Sequence, residues 1–258
     1  MFDMQNQPDL RNIEIDRVGI KDIVYPVVLK DKAKGSQHTN ATISLSVKLP
    51  HDFKGTHMSR FVEVINRHRH DISISSLKDL LEDTRRLLVA EEAHIELAFK
   101  YFVEKTAPVS KQSSLMDYDC VFAASLNGSG YDMLATVYVP VLSLCPCSKE
   151  ISRYGAHNQR SIMKLSVKAE KLIWIEELIE YAEASASSPI YALLKREDEK
   201  YVTEKSYENP VFVEDIVRNA TELLMADSRV LWFEVSSTNM ESIHNHNAWA
   251  TVERDKRK

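Results

Sequence analysis

The sequence predicts an α+β fold built on antiparallel sheets. Three observations lead to it. Segments such as residues 43–49 and 95–103 alternate apolar and polar side chains, the period of a strand with one buried face. The strand patterns come in neighbouring pairs with two helical patterns between the pairs, instead of alternating one by one with helices. This order occurs twice, on either side of Asn127-Gly128.

The elements follow in turn. Ile43, Leu45, Val47 and Leu49 mark a half-buried strand, and residues 23–29 before it read as its partner. A helix is expected from near Ser59, with Phe61, Val62 and Ile65 on its apolar face. A second carries Leu77, Leu80, Leu81 and Leu88, with Ser76 as N-cap and Asp79 at the third helical position. Ile95, Leu97, Phe99, Tyr101 and Val103 alternate again, and a strand over residues 119–126 closes the first unit. Asn127-Gly128 is a strong turn signal.

Beyond the turn, residues 133–142 form a nearly continuous apolar strand, and Met163, Leu165, Val167 and Ala169 alternate. Trp174, Ile175, Leu178, Ile179 and Ala182 fit one helix face. Asn209 as N-cap and Pro210 at the first helical position announce another helix, carrying Val213, Ile216, Val217, Ala220 and Leu224. Leu231, Phe233 and Val235 form a strand, and residues 248–252 the last one. Residues 254–258 read as a solvated, mostly basic tail.

The chain has 258 residues, a length suited to one or two domains of roughly 150 residues. With 44% apolar and 28% charged residues it can bury a core without disulfide staples. A net charge of −5 gives no electrostatic case for nucleic acid or for a membrane surface, so an anionic substrate needs a local basic pocket. No apolar run approaches the ~20 residues that span a bilayer, and residues 1–11 are polar, without a signal core. The cytoplasm is the expected location. Three cysteines, two of them one residue apart, make a poor disulfide framework, so thiols are expected.

Five stretches can carry chemistry. In SLCPCSK, a thiolate is both a soft metal ligand and a nucleophile. Pro146 stiffens the loop between Cys145 and Cys147, and cysteines two apart in extended chain point to one side. His157 follows ten residues after Cys147. A buried cysteine pair beside a surface histidine has the same spacing. In IHNHN, His244 and His246 share one face if the segment leads into the last strand, so one can bind a metal while the other moves protons. Two exposed histidines at a strand end look the same. The run from Leu193 to Lys205 reads as a charged, solvated loop, with Lys195, Arg196, Lys200 and Lys205 available to phosphates. Glu214 lies in the opening turns of the helix begun by Pro210. A carboxylate there accepts two parallel N–H bonds, which suits the edge of guanine, but a first-turn acid is also ordinary. In KGTHMSRF, a glycine with hydroxyl and basic residues at a helix start can hold phosphate on backbone N–H groups, or be a plain helix start.

The segments KGTHMSRF, EKTAPVS, SLCPCSKEIS, YGAHNQRS, LLKREDEKYVTEK, YENPVFVED and ESIHNHNA together resemble the type IB GTP cyclohydrolases, over residues 9–251. The resemblance implies two tandem tunnelling-fold modules, residues 1–126 and 127–258, each an antiparallel sheet with a pair of helices on one face. Most of the metal site falls in the second. It implies a homotetramer and conversion of GTP and water to 7,8-dihydroneopterin triphosphate and formate, the entry to folate synthesis. One divalent ion per site, zinc, manganese or iron, is implied, with no organic cofactor. By motif, the metal ligands fall on Cys145, His157, Glu199 and His244, and the guanine anchor on Glu214. Cys145, His157 and His246 are the implied catalytic residues, His246 for proton transfer. Cys147 supports the site or pairs with Cys145 in redox chemistry. The rival within the same fold is a nitrile reductase acting on a deazaguanine, with a cysteine nucleophile and NADPH. A rival of another class is a purine-binding scaffold with a structural zinc.

Overall fold

The computed structural model describes residues 5, 7 and 9–257. Residues 1–4, 6 and 8 of the polar N-terminal stretch, and Lys258 of the expected basic tail, lie outside it. Two compact units divide the chain, residues 1–100 with 121–135 and residues 101–120 with 136–258.

In the first unit β1 (Ile15–Asp31) and β2 (Gly35–Leu49) form an antiparallel hairpin, and β2 pairs on with β3 (Ala93–Thr106). Ala41, Ile43, Leu45, Val47 and Leu49 of β2 all point inward and are buried, as alternation requires. Burying each large aliphatic side chain contributes about 1.5–3 kcal/mol. The β1 register slips between Ile20 and Ile23, where Asp22 takes a left-handed φ of 59°. Glycine is required just before it: a Cβ on Gly19 would stand 2.0 Å from the Leu45 carbonyl oxygen.

Helices α1 (Met58–His68) and α2 (Ile74–Leu88) pack their apolar faces inward in this unit. The α1 stripe is Phe61, Val64 and Ile65; Val62, expected on it, is exposed because it sits one position off the inward face. The α2 cap is Ser73, not Ser76. The Ser73 hydroxyl accepts the Ser76 N–H at 3.2 Å and the Ser76 hydroxyl accepts the Ser73 N–H at 2.8 Å, so Ser76 is the reciprocal partner three residues into the helix.

Strands β3, β4 (Ser113–Asn127) and β5 (Gly130–Leu144) are 14 or 15 residues long, and each contributes a stretch to both units. The compact units therefore do not follow the expected cut at residue 127. The Asn127-Gly128 turn is present, with the Asn127 side chain accepting the Ser129 N–H at 2.9 Å.

The second unit adds α3 (Pro146–Ile151), β6 (Asn158–Ala169), α4 (Ile175–Ser185), the short β7 (Ser188–Pro189), α5 (Arg196–Glu208), α6 (Val213–Ala226), β8 (Val230–Asn239) and β9 (Ala248–Asp255). The hydrogen-bonded strand order is β1-β2-β3-β4-β5-β6-β8-β9, with β7 beside β5. Helix α4 buries Leu178, Ile179 and Ala182, and α6 buries Ile216, Val217, Ala220 and Leu224, as their spacing predicts.

Three expectations are corrected here. Residues 196–208 are a helix, not a loop: favourable acids fill the first turn and polar side chains cover the outer faces. Asn209 caps the end of α5 instead of starting α6, because its side-chain amide donates to the Ala186 carbonyl at 3.0 Å. Helix α6 starts after Phe212, whose N–H is taken by the Asp215 carboxylate at 3.2 Å. The basic tail also has structure as far as it is described: the Lys256 ammonium donates to the Leu224, Met225 and Asp227 carbonyls, closing the C-terminus of α6.

Candidate active site

Cys145 follows the last residue of β5 and caps α3, with Pro146 at the first helical position. Its sulfur accepts the Ser148 N–H at 3.5 Å. Three further bonds close a corner. The Cys145 N–H donates to the His157 carbonyl at 3.1 Å, the His157 N–H donates to the Ser148 hydroxyl at 3.1 Å, and that hydroxyl donates to the Cys145 carbonyl at 3.2 Å. Cys145 and His157 are thus brought together through Ser148. Cys147 is turned to solvent by the start of α3, so the two sulfurs do not share the side that an extended chain would give them.

The His157 ring is fixed from behind. Its Nδ1 lies 2.9 Å from Gln159 Oε1. Gln159 Nε2 donates to the Ser143 hydroxyl at 2.8 Å, and Asn239 Nδ2 donates to the same oxygen at 3.1 Å. The Ser237 hydroxyl donates to Asn239 Oδ1 at 3.3 Å. All four polar residues are buried, so each bond removes an unmet polar group from the interior. In the tautomer that donates Nδ1–H to Gln159 Oε1, Nε2 keeps its lone pair as an acceptor. The Glu241 carboxylate stands 4.0 Å from Nδ1.

Ser143, Gln159 and Glu241 lie within the motifs and Asn239 just outside them, but sequence reasoning gave none of the four a role. One signal was available: alternation through Met163 and Leu165 places Gln159 and Ser161 on the same inward row. Polar residues on a buried strand face need partners, and therefore a reason.

Glu199 is exposed in the first turn of α5. Its neighbour Asp198 is fully buried and accepts the Val109 and Ser110 N–H groups, the Ser110 hydroxyl and the Lys195 N–H. Burial works to raise the Asp198 pKa, but these hydrogen bonds outweigh it and hold the carboxyl well below the usual range. His244 and His246 lie in the bends before β9, not on the strand, with rings stacked at 5.0 Å and 20°. Glu214 is exposed at the second position of α6. Among the described residues no group of three or more His, Cys, Asp or Glu side chains is placed to hold a metal ion.

The Cys145–His157 corner fits a divalent metal by its chemistry. A partly exposed thiol and an imidazole whose far nitrogen is already bonded are the usual pair of a soft site with its supporting shell. In the KGTHMSRF segment two backbone N–H groups and one basic side chain are already engaged. The Lys54 and Gly55 N–H groups are taken by the Gln7 and Gln5 carbonyls, and Arg60 donates to the Leu87 carbonyl at 3.1 Å.

The model of the type I GTP cyclohydrolase FolE2 family matches residues 1–250. The chain belongs to that family. It is 56% identical over 257 residues to the GTP cyclohydrolase FolE2 of Geotalea uraniireducens, covering 100% of this chain and 94% of the relative. It is 54% identical over 255 residues to that of Syntrophus aciditrophicus, covering 99% and 100%. As a member of the FolE2 family the chain is an enzyme, a GTP cyclohydrolase acting on GTP. The nitrile reductase alternative finds no support in these likenesses.

Among solved structures the chain is similar to a uricase from Bacillus fastidious, with TM-score 0.56 at 9% identity over 93% of both chains. It is also similar to a urate oxidase of Bacillus sp. TB-90 in a hyperthermostable mutant form, with TM-score 0.56 at 6% identity, covering 94% and 99%. At such identities the likeness shows the fold alone, a tunnelling-type α+β architecture on antiparallel sheet. No helix among the described residues is long and apolar enough to cross a membrane.

Proposed function

We infer that this FolE2 family member converts GTP and water to 7,8-dihydroneopterin triphosphate and formate, using a divalent metal for which Cys145 and His157 stand together at one corner and to which Glu199 and His244, not gathered there among the described residues, must be drawn. The observation that carries this reading is the Cys145–His157 corner, in which the backbone joins the two residues and Gln159 Oε1 lies 2.9 Å from Nδ1. A divalent ion, when bound, supplies acidified water and Lewis-acid polarisation.

The side chains of the chain do the rest. The Glu214 carboxylate accepts the N1–H and exocyclic amine of guanine, fixing which edge of the base faces the metal ligands. His246, stacked on His244, donates the proton that N7 needs before water adds at C8. The imidazole ring of guanine then opens to a formamide, a second hydrolysis releases formate, and the ribose opens and recloses onto the freed amine. Exposed Lys195, Arg196 and Lys205 supply positive charge for the triphosphate.

The same reading makes the chain the first enzyme of folate synthesis, at work in the cytoplasm, as a homotetramer of chains that each carry two tunnelling modules. Zinc, manganese and iron suit the ligand set, and no organic cofactor is needed.

The test is direct. Protein loaded in turn with zinc, manganese or iron(II) is incubated with GTP, and pterin fluorescence, formate and the phosphate count of the product are followed. One formate per pterin triphosphate supports the reading. A cyclic phosphate product, or turnover unchanged after complete chelation, overturns it.

A further inference from the structure

The segment EKTAPVS has no role in the chemistry above, yet it meets the part of the chain that carries Glu199. Residues 104–110 form the end of β3 and the turn toward β4, closed by the Ala107 N–H donating to the Gln112 carbonyl at 2.8 Å. Two side chains tie this turn to residues 190–198. Lys105 donates to the Ile190 carbonyl at 2.7 Å and pairs with Glu183. Asp198 accepts the Val109 N–H at 2.8 Å and the Ser110 N–H at 2.9 Å on one oxygen. On the other it accepts the Ser110 hydroxyl at 2.5 Å and the Lys195 N–H at 2.8 Å.

The far end of helix α5 is held by polar contacts, Lys149 donating to the Tyr207 carbonyl at 2.6 Å and Asn209 to the Ala186 carbonyl at 3.0 Å, whereas Asp198 holds its first turn. Its buried residues are Asp198, Val202 and Ser206, one apolar side chain among three, so hydrophobic packing alone does not set its rotation. Successive helical residues differ by about 100°. Whatever fixes the direction of Asp198 therefore fixes that of Glu199 beside it. A carboxylate with four donors on two oxygens is saturated and cannot swing without leaving buried N–H groups unmet.

We propose that Asp198, clamped by Val109 and Ser110, is the positioning residue that aims Glu199 at the metal. The proposal rests on the reading of Glu199 as a ligand. It gives EKTAPVS its role: the turn is the fixed bracket against which α5 is set, and Asp198 reaches the metal only through its neighbour.

Cobalt(II) titration of the full-length protein tests it, read by the visible bands that report coordination. Glu199→Ala is expected to weaken cobalt binding and to change the bands. Asp198→Ala is expected to weaken binding about tenfold to a hundredfold and to move the bands the same way, with Glu199 still present. Wild-type affinity and bands in Asp198→Ala, with Glu199→Ala altered, overturn the positioning role and leave the ligand reading standing. Wild-type behaviour in Glu199→Ala overturns both. If Asp198→Ala does not fold, Ser110→Ala and Asp198→Asn carry the test. Each removes part of the clamp and is expected to weaken binding in the same direction, and unchanged binding in both overturns the proposal.

Discussion

The Oε1 atom of Gln159 stands 2.9 Å from Nδ1 of His157, and the same amide donates to Ser143 behind it. This pair sets the tautomer of the one imidazole that the backbone holds beside Cys145. Gln159→Leu is expected to lower metal affinity and formate release by about tenfold to a hundredfold, with the strands intact by circular dichroism. Gln159→Glu keeps an acceptor at that position and should lose less. Equal losses in the two variants would show that the acceptor facing Nδ1 is not what matters there.

The two cysteines of the CPC motif should behave differently. Cys145 is partly enclosed and accepts the Ser148 N–H, whereas Cys147 faces solvent. Cys145→Ala is expected to abolish formate release without loss of fold, and Cys147→Ser to remain near wild type. Metal content after dialysis, measured beside turnover, checks both. An inactive Cys147→Ser would give that residue a chemical part.

Asn209 is a stability prediction. Its amide donates to the Ala186 carbonyl at 3.0 Å and to the Ser187 carbonyl at 3.4 Å, beside the fully buried Ser187. Asn209→Ala leaves these carbonyls short of a donor and should cost about 1–3 kcal/mol. The shift of the urea midpoint at constant slope measures it.

Asp227 predicts a pH dependence. The Arg229 guanidinium, bonded at 2.7 Å, lowers the carboxyl pKa from 3.8 to about 2, with help from the Arg229 N–H and the Tyr181 hydroxyl. A depressed pKa in the folded state gives stability that is present in full above the unfolded value and is lost as the pH falls through the folded one. The stability gap between wild type and Asp227→Asn should hold constant above pH 3.8 and shrink toward about 2. Urea unfolding of both proteins across that range checks the sign. A gap that widens on acidification would contradict it.

Much of the fold is legible in the residues because the signals are local. Alternation in β2 and the 3.6-residue stripes of α4 and α6 report which face is buried, and those faces are the buried ones. Capping is less legible. Ser73, Ser76 and Asn209 are all good caps by residue type, and the choice depends on what else competes for the side chain. Asn209 is drawn to the Ala186 carbonyl, which lies 23 residues away along the chain. Helix α5 was hidden for a related reason: it has no apolar stripe, and of its three inward residues one is a carboxylate and one a serine.

From the sequence alone came the antiparallel α+β class, the turn at Asn127-Gly128 and the motifs that resemble a GTP cyclohydrolase, because periodicity and motif spacing are written within short stretches. Only the tertiary structure decided that Ser148 joins Cys145 to His157, that Gln159 and Ser143 stand behind the ring, and that Asp198 anchors α5 to the EKTAPVS turn. Those contacts unite residues up to 89 positions apart, and a buried polar group finds its partner in space, where no local pattern records it.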